Sequence, residues 1–364
     1  MPLGMLSLAV YLLVVEAGGT PAAAGLTSGS VGAGNALGLL IQGWLIGRHG
    51  MSRVIGVCAV LCPAALIGVV ASPTAGPRTY LIAGIAGVSV PATTACMRVL
   101  WTVLIDDQRA RASAYALLAT SFQAALIIGP LTVTGARYLG GAVCAVVLAA
   151  ILSGVGGLAF AVSPACRAQR PPRSGPTGPL RLSSGLRTLL AGGFGSGIAL
   201  GIMVIAVAGA RPALAGTLFA LFAVGELSAG LVYGATFRIP VPVRLFCGMA
   251  GMAIVLALLT VGHHGIAAAA FLMTIGGVFA APVAIANSAL LDDVVPAAAL
   301  AQSYTGVVAA GLLGNAVGNS AGGYLTEHAS VAAAFAVGAA ILACTAVILA
   351  IRRNTLLPAP LETR

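Results

Sequence analysis

Charged residues are scarce in this sequence, and lysine is missing altogether. Only 7% of the 364 residues are charged, whereas 59% are hydrophobic; soluble proteins carry about a quarter charged residues. This composition excludes an ordinary soluble globular protein. ATP-driven transporters hold phosphate with a glycine-rich loop that contains a lysine, and this sequence has no such loop. Arginine supplies all of the basic residues, a bias typical of a high-GC genome.

Clusters of catalytic or metal-binding residues are also missing from the sequence. Its cysteines are scattered, mostly within apolar segments: Cys58, Cys62, Cys96, Cys144, Cys166, Cys247 and Cys344. The pair Cys58 and Cys62 lies one helical turn apart, but no nearby histidine or carboxylate completes a zinc site. We interpret the cysteines as small buried hydrophobic residues and predict no metal and no cofactor. An enzyme is disfavoured, because no nucleophile, acid and base occur together.

Long apolar segments fill most of the chain. A bilayer core needs about 20 apolar residues per helix, so the length accommodates about twelve transmembrane helices. Breaks at polar, proline and arginine clusters predict spans at 2–17, 21–46, 54–73, 80–104, 114–136, 140–163, 188–209, 213–234, 245–262, 265–290, 302–325 and 330–351. We therefore predict an all-α integral membrane protein whose partner is the lipid bilayer.

A proline-, serine- and arginine-rich segment at 164–187 divides the predicted spans into six and six. Such a composition suits a flexible, solvated connection. The predicted organisation is an N-terminal half at 1–163, a cytoplasmic linker at 164–187, a C-terminal half at 188–351 and a cytoplasmic tail at 352–364. A repeated glycine spacing supports two related halves. The spacing of Gly38, Gly43 and Gly47 recurs in Gly225, Gly230 and Gly234.

The arginines predict the orientation in the membrane, because cytoplasmic loops retain positive charge during insertion. Most arginines fall on one side: Arg48, Arg53, Arg109, Arg111, Arg167, Arg170, Arg173, Arg181, Arg187, Arg238, Arg244, Arg352, Arg353 and Arg364. The other side receives Arg78, Arg137 and Arg211. Both termini are therefore predicted in the cytoplasm of a bacterial cell, with the charge serving topology and not nucleic-acid binding. The first span has no positive flank before it, which indicates a truncated or misassigned start and not a signal peptide.

The loop after the second span resembles the loop signature of the major facilitator superfamily. The matching residues are Gly43, Leu45, Arg48, Gly50 and Arg53, while Gly47 stands where the signature has an aspartate. The segment from Arg109 to Gly135, with Gly129 and Pro130, resembles the fifth span of actinobacterial transporters of this superfamily. This resemblance implies two six-helix halves and alternating access. Gly129 and Pro130 are similar to the antiporter signature of that span, but its regular upstream glycines are absent, so the antiporter subtype stays open. In that family the loop charges latch the halves together, a role that the missing aspartate weakens.

Glu226 is the only carboxylate well inside a predicted span and is the first candidate for ion coupling. Removal from water favours the neutral acid, so this side chain could load a proton from one side and release it to the other. The alternative is a structural carboxylate bonded to a neighbouring helix. The resemblance places Gln123 at a similar depth, where a hydrogen bond to Glu226 is expected.

The remaining polar candidates lie on helices that the resemblance assigns to the cavity or to contacts between halves. Arg98 is interpreted as an interfacial anchor beside Trp101, or alternatively as a cavity cation. Asn315 and Asn319 are predicted either to bond to Asn35 or to line the substrate path, and Gly314 and Gly318 to pack helices. The further cavity candidates, most of them expected to bond to helix carbonyls, are Tyr11, Thr93, Thr94, Ser196, Thr274 and Asn287.

So few polar groups predict a mainly apolar cavity, which suits a small hydrophobic or amphipathic solute. The sequence thus favours a secondary transporter, with efflux coupled to protons. A channel would not explain the two related halves. A transporter-like sensor or partner without turnover remains the alternative, because the aspartate before Arg48 is missing and Gly84 replaces an arginine common at that position in the family.

Overall fold

The computed structural model describes residues 2–74, 76–169, 183–236, 240–261, 265–295 and 299–356. Every regular element within these ranges is helical, which confirms the all-α prediction. Outside them lie most of the predicted linker and tail, with Arg170, Arg173, Arg181, Arg238 and Arg364.

Apolar helices follow one another with short connections through the described chain. They are α1 (Pro2–Glu16), α2 (Pro21–His49), α3 (Met51–Ala71), α4 (Pro77–Val88), α5 (Thr93–Leu104), α6 (Gln108–Val162), α7 (Pro164–Ala168), α8 (Ser184–Ala210), α9 (Ala215–Thr236), α10 (Val241–Leu259), α11 (Ile266–Val294), α12 (Leu300–His328) and α13 (Val331–Ile351). A 3-10 turn at Arg353–Leu356 follows the last helix.

Eight helical segments in the described ranges are long and apolar enough to cross a membrane. They include α4 and α5 taken together, while α1 is a shorter apolar helix. Glycine, serine and asparagine dilute the apolar character of α2 and α12, which are not among the eight. A multi-pass membrane protein is thereby confirmed. The number of about twelve crossings and the side on which the termini lie stay predictions.

Two helix boundaries differ from the sequence prediction. The span predicted at 80–104 consists of two helices, α4 and α5, separated by residues 89–92, which include Pro91, a residue without a backbone donor. The spans predicted at 114–136 and 140–163 are joined within α6 by a turn of only two non-helical residues, Gly140 and Gly141. Gly141 has a φ of 71°, a left-handed conformation that glycine adopts without strain.

The described residues divide into two compact units. The first contains 2–169 and 212–220, and the second contains 183–211 and 221–356. Helix α9 therefore begins in the first unit and continues in the second. A buried cluster in the first unit joins α3, α5, α6 and α7, and consists of Met51, Ile55, Ala92, Cys96, Leu100, Ala161 and Cys166.

Glycine contacts hold α2 against α4 and, separately, α9 against α11. A Cβ atom added at Gly34 would overlap the carbonyl oxygen of Gly84, and one added at Gly225 would overlap that of Thr274. Because the two contacts have the same form, Gly225 corresponds to Gly34 and not to Gly38. The alignment of the two halves by their repeated glycine spacing, which matches Gly38 with Gly225, is therefore one helical turn out of register.

Candidate functional site

Gln42 spans the break between α4 and α5 with its side chain. Its Nε2 donates to the carbonyl oxygens of Val88 and Val90 at 2.9 and 2.8 Å, and its Oε1 accepts from the backbone nitrogen of Ala92 at 3.0 Å. The side chain is buried, so these bonds satisfy backbone groups that the helix break would otherwise leave unpaired. Sequence analysis missed this residue; the available signal was a glutamine inside an apolar helix facing a proline-interrupted one.

The residues just after the break include three of the predicted cavity side chains. Thr93 and Thr94 are half-buried in the first turn of α5, and Arg98 is exposed one turn further on. The carbonyl oxygen of Arg98 accepts a 3.5 Å bond from the Tyr115 hydroxyl, and the Tyr115 ring packs on Trp101 with centroids 5.9 Å apart. Aromatic packing beside an exposed arginine is compatible with the interfacial-anchor interpretation, which stays a prediction.

The two candidate coupling residues belong to different helices and to different units. Glu226 is half-buried on the part of α9 that belongs to the second unit, and its backbone nitrogen lies against Gly277 of α11. Gln123 is half-buried on α6 in the first unit. The hydrogen bond expected between their side chains stays a prediction.

Asn315 and Asn319 face α8 within the second unit. The Nδ2 atom of Asn319 donates to Oδ1 of Asn315 at 3.3 Å, and Asn319 has no exposed surface. The backbones of these asparagines pack directly on Gly201 of α8, while Gly314 and Gly318 pack on Phe194 and Ile198. The side-chain bond is thus made along α12, and the predicted contact with Asn35 stays a prediction.

Several other polar candidates bond to the carbonyl one turn earlier in their own helix. Thr274 donates to Ala270 at 2.9 Å and Ser196 donates to Gly193 at 3.1 Å. Tyr11 is completely enclosed within the first unit, with 1% of its surface exposed. Such bonds leave few polar groups available to a solute.

The loop that resembles the family signature begins with a stacked pair. The Arg48 guanidinium lies 4.4 Å from the centre of the Trp44 ring, one turn earlier on α2. Gly50 joins α2 to α3 with a φ of 86°, and Arg53 is exposed at the start of α3. A Cβ at Gly43 would meet open space. The cation–π contact gives Arg48 a partner on its own helix, where the family signature would provide an aspartate.

Glu16 and Arg137 form an ion pair where α1 ends beside the turn of α6. The Arg137 Nε atom lies 2.6 Å from Oε1 of Glu16, and the backbone nitrogen of Ala142 donates to Oε2 at 2.6 Å. Arg137 also donates to the carbonyl oxygen of Pro212, in the connection before α9. One carboxylate and one guanidinium therefore tie α1, both parts of α6 and the α9 entry together. Sequence analysis used Arg137 only as a topology signal.

Gly129 and Pro130 are buried in α6, next to the start of α9. A Cβ atom at Gly216 would overlap the carbonyl oxygen of Pro130, so the first turn of α9 lies directly on this part of α6. Proline leaves a carbonyl of its helix without an internal donor and favours such irregular packing.

The cysteines are free thiols, and Cys58, Cys62, Cys96 and Cys166 are buried. Burial raises the pKa of the Cys166 thiol, which lies in α7 beyond the end of α6. Cys144 is half-buried and Cys247 and Cys344 are exposed, so the buried-hydrophobe interpretation applies to four of the seven. Within the described residues, no three histidine, cysteine or carboxylate side chains are grouped as a metal site.

The sequence matches no protein-family model and no curated protein. Its structure, in contrast, is similar to solved transporters over nearly its whole length. The nucleoside transporter NupG matches with a TM-score of 0.71 and 14% identity, covering 97% of this chain and 94% of that one. A mutant of the peptide transporter POT in complex with sulfate gives 0.73 and 15%, covering 98% and 92%. The human organic anion transporter MFSD10 gives 0.60 and 16%, covering 89% and 83%.

These similarities define the class of fold. All three structures are transporters of the major facilitator type, and the chain shares their fold over 89–98% of its length. The fold expected from the loop after α2 is therefore confirmed, while identities of 14–16% carry no assignment of substrate.

Proposed function

We propose that this protein is a secondary transporter that moves a small hydrophobic or amphipathic solute by alternating access. It acts in a bacterial cytoplasmic membrane as two six-helix halves, at 1–163 and 188–351, with both termini inside. The observation that carries the proposal is the similarity, over 89–98% of the chain, to three transporters of this fold. Alternating access is the ordinary mode of transport for folds built from two related halves.

The bonds that the polar candidate residues already make within the protein support a largely apolar solute. Thr274 and Ser196 bond to carbonyls of their own helices, and Tyr11 is enclosed. A nucleoside, a peptide or an organic anion, the solutes in the names of the similar structures, offers many polar groups that need partners. A site with few available partners favours solutes whose binding depends on apolar contact.

Proton coupling is assigned to Glu226, with export as the direction. This glutamate is half-buried in α9, and its backbone is fixed by the packing of Gly277. A carboxylate in a transport helix can exchange its proton with whichever side of the membrane it faces, so its charge can change when access to water changes sides. Gln123 is proposed as its hydrogen-bonding partner; it can orient the acid but cannot exchange a proton itself.

Flux measurements in proteoliposomes test both parts of the proposal. The purified protein is reconstituted, a pH gradient is imposed, and lipophilic cations and amphipathic metabolites are screened. We expect gradient-driven flux in the wild type and its loss in Glu226→Gln. Glu327→Gln is the matched control, because Glu327 is an exposed glutamate at the end of α12 and should leave flux unchanged.

The outcomes separate the transporter from its alternatives. Flux that persists in Glu226→Gln but no longer follows the pH gradient would mean facilitated diffusion through the mutant and a coupling role for the acid. Equal gradient-driven flux in both variants would contradict coupling through Glu226. If a folded protein carries none of the compounds, the result would favour a sensor or partner protein with a transporter fold.

A further inference from the structure

Helices α2 and α9 present equivalent positions in their respective units. A Cβ atom at Gly87 would overlap the carbonyl oxygen of Val31 and crowd the backbone nitrogen of Asn35. A Cβ atom at Gly277 would overlap the carbonyl oxygen of Phe222 and crowd the backbone nitrogen of Glu226. The same contact of a glycine with a carbonyl oxygen and a backbone nitrogen thus occurs in both units. Asn35 has the position in the first unit that Glu226 has in the second.

The reciprocal contact gives the same correspondence. Gly34 packs on Gly84 and on the backbone nitrogen of Val88, as Gly225 packs on Thr274 and on that of Val278. From Gly34 to Gly225, and from Asn35 to Glu226, the chain advances by the same number of residues. Two independent contacts therefore make Asn35 the structural counterpart of the proposed coupling acid.

The side chain of Asn35 is buried without a hydrogen-bond partner among the described residues of the first unit. Only 8% of the residue surface is exposed, and the amide makes no hydrogen bond to a described side chain or backbone group of that unit. The oxygen and nitrogen atoms of this amide nevertheless retain some accessible surface, whereas the unpaired side-chain oxygens of Ser303 and Asn287 are buried. An amide in such a place costs free energy unless water or a solute completes its hydrogen bonds.

We propose that Asn35 is a solute-contacting residue, the neutral counterpart of Glu226 on the first unit. Its amide both donates and accepts, so it suits a hydroxyl, carbonyl or amine group on an otherwise apolar solute. The tight glycine packing under Asn35 fixes the backbone that presents this amide. The inference rests on the proposed transport function and adds a polar contact that the acid alone does not supply.

Cysteine labelling tests access to this position without any transport assay. Asn35→Cys is made in full-length protein in which Cys144, Cys247 and Cys344 are serine, so that only the four buried cysteines remain. The probe is methanethiosulfonate ethyltrimethylammonium, a water-soluble cation. Val31→Cys is the matched control, because Val31 is 3% exposed and lies one turn earlier on α2. We expect the thiol of the Asn35→Cys variant to react at least about tenfold faster than that of the Val31→Cys variant, as open and sealed sites differ in reagent access.

Affinity measurements test whether the amide contacts the solute. Asn35→Leu keeps the branched shape of the side chain but removes hydrogen bonding, so the half-saturating concentration of the compound with the largest flux should rise roughly tenfold, the worth of one hydrogen bond. Asn35→Asp retains acceptor oxygens and should lose less affinity. Asn354→Ala, which changes an exposed asparagine after α13, should have no effect.

The results distinguish failure of this inference from failure of the proposed function. Equal labelling rates at positions 35 and 31 would overturn a solute-accessible Asn35 whether or not the protein transports. Unchanged affinity in Asn35→Leu, in a protein that carries solute, would overturn the contact alone. If no compound is carried, labelling decides the accessibility of Asn35, while the absence of flux counts against the transport function.

Discussion

At the scale of single residues, glycines determine how closely the helices approach. Gly225 faces the carbonyl of Thr274, whereas Gly230, one and a half turns further along α9, has no atom near its Cβ position. The two glycines share a helix and a residue type but differ in what surrounds them. The difference lies in the neighbouring helix, because α11 contacts α9 at Gly225 and no atom approaches the Cβ position of Gly230.

Gly225→Ala is expected to destabilise the protein by about 1–3 kcal/mol, the usual cost of forcing extra volume into packed helices. Gly230→Ala is the control, and it should leave stability unchanged or raise it slightly, since alanine is the better helix former. Thermal unfolding of each purified variant in detergent measures the difference. Equal melting temperatures for the two variants would show that α9 and α11 are not in backbone contact at Gly225.

At the scale of elements, a single side chain compensates for the interruption of the fourth predicted span. Gln42 supplies both donors and an acceptor to the backbone between Val88 and Ala92. In the second unit α11 contains Pro282 and yet stays helical from Ile266 to Val294. The break is therefore a feature of one half only, positioned directly before Thr93 and Thr94.

Gln42→Leu should destabilise the protein by about 3 kcal/mol or more, because three buried backbone groups lose their partners at about 1–3 kcal/mol each. Gln302→Leu, on an exposed position of α12, serves as the control and should have little effect. In protein in which Cys144, Cys247 and Cys344 are serine, a thiol-reactive dye that reports exposure of the four buried cysteines on heating gives the melting temperatures. An unchanged melting temperature in Gln42→Leu would mean that the break needs no side-chain support.

At the scale of the whole molecule, the arginine distribution predicts the topology. The α5–α6 connection should lie in the cytoplasm and the turn at Gly140 and Gly141 outside, close to the Glu16–Arg137 ion pair. Alkaline phosphatase fused after Gly140 should be active, because it folds only outside the cytoplasm, and the same enzyme fused after Asp107 should be inactive. The reverse pattern would place both termini outside and contradict the predicted orientation.

Much of the architecture is predictable because periodic apolar length is a strong local signal. The boundaries of α8 and α13 agree with the predicted spans within a few residues, and the fold expected from Gly43, Arg48 and Gly50 is the one observed. The segment predicted at 80–104 is long and apolar enough to cross a membrane, but it consists of two helices, because hydropathy does not register where backbone hydrogen bonding is interrupted.

The candidate sites were less accessible to sequence analysis. Glu226 stands out as an acid in an apolar segment, but the roles of Gln42 and Asn35 depend on groups far away in the chain. The repeated glycine spacing identified the right pair of helices but aligned them one turn out of register. Glycine spacing repeats along one helix face whether or not the glycines contact the same partners. Glu16 and Arg137 are 121 residues apart, and no local pattern connects them.

The sequence by itself determined that this protein is a membrane-embedded helical chain with few charges, because those properties depend only on composition and on the length of apolar segments. Tertiary structure alone decided which side chains share an environment. Helix packing places Asn35 and Glu226 at equivalent positions of their units. It also brings Gln42 to the broken helix and Glu16 to Arg137. Contacts between distant residues depend on the shapes of both surfaces, which are established only when the helices come together.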